Sequence, residues 1–269
     1  MQEQRCTYLF IAPPIAVALA KHPAVAEHDL SSVHTILSGA APLDGALADA
    51  VAERLGCRVV QGYGMTEMSP VSHAVPADRD DLPRGSIGVL VPNMVCRVID
   101  PGDGHDIAVP PTGRSEPGEL WCQGPNVMVG YLGDDEATAA TLDADGFLHT
   151  GDLVTVDADG AFYVVDRLKE LIKYHGYQVP PAELEALLLT HPDVQDAAVI
   201  GVADDDGQET PKAFVVRTSD LDADALMAWV AERVAPHKKI RQVEFVESIP
   251  KSSSGKILRK DLRARTAGS

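Results

Sequence analysis

Apolar residues recur every fourth position at Leu43, Leu47, Val51 and Leu55, with Ala46 and Ala50 beside them. That spacing predicts an amphipathic helix, and Gly56 supplies its stop. Apolar runs flank it. Residues 33–37 read as a strand ending in Ser38-Gly39-Ala40-Ala41-Pro42, a turn of small residues. Residues 58–60 read as a second strand leading into Gln61-Gly62-Tyr63-Gly64-Met65-Thr66-Glu67. Upstream, residues 8–11 predict a strand, Pro13-Pro14 a break and residues 15–21 a helix. Strand, helix, strand is an α/β unit, where ligands gather beyond the carboxyl ends of the strands. Both small-residue turns fall there.

From about residue 77 to 166 the texture changes to short apolar runs broken by Gly, Pro and Asp. Residues 85–91, 95–99, 118–122, 153–156 and 161–165 fit strands of a β-rich subdomain. Asp157-Ala158-Asp159-Gly160 reads as a hairpin turn, and the same four letters recur at 143–146. Asp204-Asp205-Asp206-Gly207 is a further acidic turn. These segments lack the further spaced oxygen ligands and terminal Glu of a calcium loop, so they read as turns.

After Asp166 helices return. Pro181 opens a helix over 182–189, with Leu184, Leu187 and Leu188 on its buried side. Strands at 197–201 and 213–216, a helix at 222–234 and a strand at 243–246 complete a small α+β domain. It is large enough for its own core. The predicted boundary at 166/167 carries no long linker, which favours a tight hinge.

The net charge of −17 excludes a general nucleic-acid or anionic-membrane binder. Residues 235–269 nevertheless carry nine Lys/Arg against three Asp/Glu. Cys6, Cys57, Cys96 and Cys122 form no C-x-x-C pair, so reduced thiols in a cytoplasmic protein are expected. Pro13-Pro14 interrupts the first apolar run and Glu3 precedes it, against a signal peptide. No stretch approaches the ~18 apolar residues of a membrane span.

Lys251-Ser252-Ser253-Ser254-Gly255-Lys256 is a polar loop with a lysine at each end. A Walker loop needs an earlier Gly and a Ser or Thr after the last lysine; this chain has Pro250 and Ile257 there. A lysine on such a loop can instead swing in to neutralise a carboxylate and a phosphate together.

Gln61 to Glu67, Thr150-Gly151-Asp152, Asp166-Arg167-Leu168-Lys169 and the lysine loop stand in the order of the adenylate-forming enzymes. With Ser38-Gly39-Ala40-Ala41-Pro42-Leu43, Gly118-Glu119-Leu120, Gly130-Tyr131, Phe147-Leu148-His149 and Gly176-Tyr177-Gln178-Val179, they resemble the acyl-CoA ligases. Members like 4-coumarate–CoA ligase and luciferase are the most similar. The resemblance implies an α/β and α+β protein. Residues 1–166 would be the end of a large AMP-binding domain, α/β to 76 and β-rich over 77–166. Residues 167–269 would be a small mobile C-terminal domain.

It also implies a chemistry: MgATP activates a small-molecule carboxylic acid to an acyl-adenylate, and coenzyme A takes the acyl group. Gly39, Ala40, Gln61, Gly62, Tyr63 and Gly64 would wall the adenine and acyl pocket. Thr66 would bond the α-phosphate and Glu67 would hold Mg²⁺. Asp152 and Arg167 would meet the ribose hydroxyls. Lys256 would contact the carboxylate and α-phosphate during adenylation, then withdraw as the small domain turns about Lys169. Lys173, His175 and Gly176 would approach ligand in the second state.

Two departures qualify this. The family commonly has lysine where this chain has His175, which weakens or changes the coenzyme A contact. The Ser/Thr/Gly-rich loop ending in Pro-Lys-Gly, which cradles the β- and γ-phosphates, has no counterpart before Ser38. The expectation is therefore an N-terminally truncated ligase, 4-coumarate-, aryl- or fatty-acid-directed, whose other half is absent or a separate chain. Loading of a carrier-protein pantetheine, or an incompetent remnant that binds AMP or a partner, are the alternatives.

Overall fold

The computed structural model describes every residue except 42, 44, 205, 206, 253, 254, 268 and 269, and the side chain of 267. Pro42, Asp205, Asp206, Ser253 and Ser254 of the motifs above thus lie outside the described residues. The chain divides into two compact units, Met1–Val164 and Val165–Ser269. No helix among the described residues is long and apolar enough to cross a membrane.

The first unit begins with strand β1 (Tyr8–Ile11), helix α1 (Pro13–Lys21), strand β2 (Thr35–Ser38), helix α2 (Gly45–Leu55) and strand β3 (Arg58–Gly64). The proline pair does not break the chain before α1. It occupies the helix's first turn, where the missing N–H groups would have no partners anyway. β1, β2 and β3 pair in parallel, with Ile36 opposite Leu9 and Val59. Ala16, Leu19, Ile36, Ala48, Val51 and Val59 bury together, so both helices cover one face of this sheet. β4 (Val71–Ala74) and β5 (Val89–Leu90) extend it antiparallel.

A second sheet is built from β6 (Val95–Ile99), β7 (Gly118–Gln123), β8 (Leu148–Val156) and β9 (Phe162–Arg167), in that order. Alternate residues Leu120, Cys122, Leu148, Val154 and Val156 form its core with Met68 and Ile87. Register sets Cys96 opposite Cys122, a pairing that no linear spacing shows. Burial pushes these thiols up to about 11 and about 12, which keeps them protonated. Helix α3 (Asp135–Thr141), capped by the Asp134 carboxylate on Ala137 N at 2.9 Å, lies between β7 and β8.

The acidic turns hold themselves. Asp143 Oδ1 accepts from the Asp145 and Phe147 amides at 3.0 and 2.8 Å. Asp157 Oδ1 accepts from those of Asp159 and Ala161 at 3.0 and 2.9 Å. These carboxylates complete Asx turns, each with a left-handed glycine, at Gly146 and Gly160.

In the second unit a hairpin of β10 (Ile172–Tyr174) and β11 (Tyr177–Val179) precedes helix α4 (Pro181–Thr190). Strands β12 (Val194–Ala203), β13 (Glu209–Arg217) and β14 (Gln242–Phe245) form its sheet, with helix α5 (Ala223–Ala231) before β14. β12 is buried on both faces. Ala197 and Val199 pack with Leu184, Leu188 and Leu226, while Ala198 and Ile200 pack with Leu262 of helix α6 (Arg259–Ala267).

Candidate functional site

β3 does not stop at Val60. It runs through the glycine-rich motif to Gly64, because β4 pairs with it antiparallel and places His73 opposite Tyr63. Gly64 is fixed by contact: a Cβ there would lie 1.8 Å from the Pro70 carbonyl oxygen. The motif is therefore mostly strand. The turn follows it, as a single 3₁₀ turn over Thr66–Met68. Met68 is fully buried and anchors this turn, leaving Thr66 exposed and Glu67 half-buried.

Gln61 has a different task from the one its motif suggests. Its Oε1 accepts from Leu43 N at 2.7 Å, and its Nε2 donates to the carbonyls of Leu43 and Arg84 at 2.9 and 2.8 Å. Both amide donors are spent on backbone, so the side chain clamps the small-residue turn after β2 from behind. In that turn the Gly39 amide donates to Ile11 at 3.0 Å, and Ala40 has a φ of 71°. A left-handed alanine is uncommon and clusters at functional sites.

Asp152 is a strand residue. It lies inside β8 at a bulge, where Thr150, Gly151 and Asp152 oppose the single residue Leu120. Gly151 takes the left-handed conformation the bulge requires, with a φ of 68°. Glu119 Oε1 accepts from its amide at 2.9 Å, and Oε2 accepts from Trp121 Nε1 at 2.9 Å. The Thr150 hydroxyl donates to the Leu120 carbonyl at 2.7 Å. Thus braced, Asp152 is buried and its Oδ2 accepts from the Tyr63 hydroxyl at 2.6 Å. Burial, then the Asp152 charge and this hydrogen bond, push the Tyr63 phenol far above its usual range, so it stays a donor.

Tyr131 donates its hydroxyl to Glu67 Oε1 at 2.7 Å, and the Glu67 carbonyl accepts from Met128 N at 2.8 Å. The hydroxyl's bond to the Glu67 carboxylate is the chief reason the Tyr131 phenol is raised. Tyr63 is thus held to Asp152, and Glu67 to Tyr131, across wide separations in sequence. Among the described residues, the buried side-chain atoms without a partner are Ser38 Oγ and His73 Nε2. Ser38 is the last residue of β2, and His73 lies on β4 opposite Tyr63. Burial lowers the His73 pKa to about 3, keeping the imidazole neutral under Tyr63. His73 belongs to no motif; Tyr131 stands in the Gly130-Tyr131 motif, which by itself assigns it no role.

The remaining predicted residues belong to the second unit. Asp166 is buried and accepts from Arg167 N at 2.7 Å and Ala182 N at 2.8 Å, joining the start of α4 to the end of β9. Arg167 follows it, and Lys169 is exposed on the short 3₁₀ turn Leu168–Glu170. Lys173 is exposed on β10. His175 and Gly176, with φ of 46° and 85°, form the two-residue turn to β11. Two left-handed residues in succession make a type I′ hairpin, so His175 sits at an exposed tip.

Lys256 is exposed and closes a small loop. Lys256 N donates to the Ser252 hydroxyl at 3.2 Å, and its carbonyl accepts from Ser252 N at 2.9 Å. Both flanks are fastened: Lys251 to Asp196 at 2.6 Å, Arg259 to Glu185 at 2.7 Å. A loop tied at its base holds its last lysine outward in solvent.

The model of the AMP-binding enzyme matches residues 1–132, and that of the AMP-binding enzyme C-terminal domain matches residues 183–256. The 4-coumarate–CoA ligase 2 of Oryza sativa subsp. japonica is 48% identical over 273 residues, covering 99% of this chain and 47% of that protein. The crystal structure of the anthranilate CoA ligase AuaEII with anthranoyl-AMP superposes with a TM-score of 0.89 at 28% identity. It covers 100% of this chain and 52% of that one. The amide bond synthetase McbA from Marinactinospora thermotolerans gives 0.84 at 35% identity, covering 98% and 54%. The chain spans about half the length of the relatives it matches.

Proposed function

Because the chain belongs to the AMP-binding, adenylate-forming enzyme family, we propose that it carries the adenylate-handling part of an ATP-dependent acid–thiol ligase. A carboxylate oxygen attacks the α-phosphorus of ATP, forming a mixed anhydride and releasing pyrophosphate. The thiol sulfur of coenzyme A then attacks the acyl carbon and releases AMP. The similarity to 4-coumarate–CoA ligases favours a hydroxycinnamate-like acid. McbA, by its name, makes amide bonds, so an amine acceptor is the second reading.

The observation that carries this proposal is the hydrogen bond from Tyr63, near the end of β3, to Asp152 at the β8 bulge. A carboxylate offers about four acceptor directions, and the phenol contact fixes which way Asp152 presents them. Held so, Asp152 accepts from the ribose hydroxyls, and Arg167 donates to them. Gly39, Ala40, Gly62, Tyr63 and Gly64 wall the adenine and acyl groups, with Gln61 as the support behind. Thr66 bonds the α-phosphate.

Glu67 fits Mg²⁺ by donor chemistry: a half-buried carboxylate with one oxygen engaged by Tyr131 suits a hard cation that keeps several waters. Mg²⁺ supplies neutralisation of phosphate charge when bound. Lys256 screens the approach of carboxylate to phosphate, two anions whose repulsion grows as water is excluded. In this reading residues 1–166 end a large domain and 167–269 form a small mobile one. It hinges at Lys169 and brings Lys173, His175 and Gly176 to coenzyme A.

The test is calorimetric titration of a non-hydrolysable acyl-sulfamoyl adenosine into the chain, alone and with the upstream half of a relative. Asp152→Asn should weaken binding at least about tenfold, the loss of one charge-assisted hydrogen bond. Equal affinity in both proteins refutes the assignment.

A further inference from the structure

Glu67 stands on a turn that cannot hold it alone. Thr66–Met68 is a single 3₁₀ turn with two backbone bonds, Met68 N to Met65 O at 3.0 Å and Ser69 N to Thr66 O at 3.2 Å. A glutamate on so short an element keeps most of its rotamer freedom unless something outside the turn restrains it. A separate loop does so. Val127 and Met128 root residues 124–131 in the core of the second sheet, while Val129 is fully exposed. Asn126 Nδ2 donates to the Met68 carbonyl and, at 3.0 Å, to that of Val71, which pins the exit of the turn. Met128 N donates to the Glu67 carbonyl at 2.8 Å and Tyr131 Oη to Glu67 Oε1 at 2.7 Å. One loop thus holds both the main chain and the side chain of Glu67. Tyr131 is itself fixed from α3: its amide donates to Thr138 Oγ1 at 2.9 Å, and that hydroxyl donates to the Asp134 carbonyl at 2.8 Å. Gly130 permits the approach, with a φ of 149° where a Cβ would lie 2.9 Å from Thr138 Cγ2.

We propose that Tyr131 is the positioning residue for divalent-cation binding at Glu67: bonded at Oε1, the carboxylate keeps one rotamer and leaves Oε2 for the cation. The inference rests on the reading of Glu67 as a Mg²⁺ ligand and adds the residue that prepares it. Among the described residues nothing donates to Glu67 Oε2. Tyr131 is 36% exposed and Glu67 half-buried, so water reaches both partners and their bond contributes little to folding. Its consequence is direction. Ordering a glutamate side chain before the cation arrives removes that entropy cost from binding. The neutral phenol leaves the carboxylate its charge for the metal.

The experiment titrates Mn²⁺ into the chain with α,β-methylene ATP present and reads bound metal by water-proton relaxation. Exposed carboxylates elsewhere, such as Asp100 and Asp103 beside His105, compete for metal. The site is therefore defined as the component that Glu67→Gln removes. Tyr131→Phe should weaken that component at least about fivefold, while the melting temperature stays within about 1–2 °C of the parent. In the Glu67→Gln background Tyr131→Phe should change Mn²⁺ uptake no further, the pattern of a residue that acts through Glu67. Affinity for the analogue without metal should be equal in the parent and Tyr131→Phe chains. Loss of the component in Glu67→Gln but not in Tyr131→Phe overturns the inference and leaves the ligase reading standing. An equal loss of metal-free nucleotide affinity in Tyr131→Phe also overturns it, since the bond would then serve the loop as a whole. Absence of any Glu67-dependent component overturns the cation reading and this inference together.

Discussion

Replacing Arg259 by Leu should be among the most damaging single changes to the second unit. Arg259 donates to both oxygens of Glu185 at 2.7 Å, and Glu185 Oε1 also accepts from Val199 N at 2.9 Å. The side chains are only 15% and 11% exposed. Removing the guanidinium leaves a carboxylate buried without its counter-ion, a change that costs about 3–5 kcal/mol. That is a large share of the roughly 5–15 kcal/mol that holds a domain folded.

The chain has two tryptophans, Trp121 on β7 and Trp229 on α5. A Trp121→Phe background therefore lets Trp229 fluorescence follow urea unfolding of the second unit alone. The midpoint should fall by about 1–3 M urea. Burial raises the Glu185 pKa above its usual value, and Arg259 pulls it back. Without Arg259 the folded carboxyl binds its proton still more tightly than the unfolded one. The variant's deficit should therefore be small below about pH 4, where both states are protonated. It should grow as pH rises from there through the raised folded pKa. Adding Glu185→Gln should recover at least half of the loss. A deficit under about 1 kcal/mol, or no recovery in the double variant, refutes the buried-pair argument.

Two further outcomes follow from the first unit. Gly64→Ala drives a Cβ into the Pro70 carbonyl and should cost about 2–3 kcal/mol. Calorimetry should record that as a lower Tm of the first unit, by roughly 5–10 °C; an unchanged Tm contradicts the packing. Tyr63→Phe strips a hydrogen bond from buried Asp152 and should cost about 1.5–3 kcal/mol. Chemical unfolding followed at Trp121 measures it, and a cost below about 0.5 kcal/mol shows that the contact does not brace Asp152.

Periodicity made α2, α4, α5 and most core strands legible because their apolar faces repeat at the helical or strand period. α6 had no such face: among its described side chains Leu262 alone is buried, amid arginines and lysines. β4 and the β10–β11 hairpin are too short to alternate visibly. The motif residues were legible as motifs, yet their division of labour was not. Gln61 turned out to be a clamp because its partners, Leu43 and Arg84, lie 18 and 23 residues away. Tyr63 and Asp152 are 89 positions apart, and only the β8 bulge brings them together. Local pattern carries elements; non-local pairing carries the site.

If these residues serve acyl-adenylate chemistry, ATP–pyrophosphate exchange reads it out. Combined with the upstream half of a relative, the chain should catalyse exchange that depends on a hydroxycinnamate. Lys256→Ala should slow it by about 10²-fold or more while sparing transfer from preformed acyl-adenylate. No exchange after reconstitution, or equal loss in both half-reactions, would contradict the account.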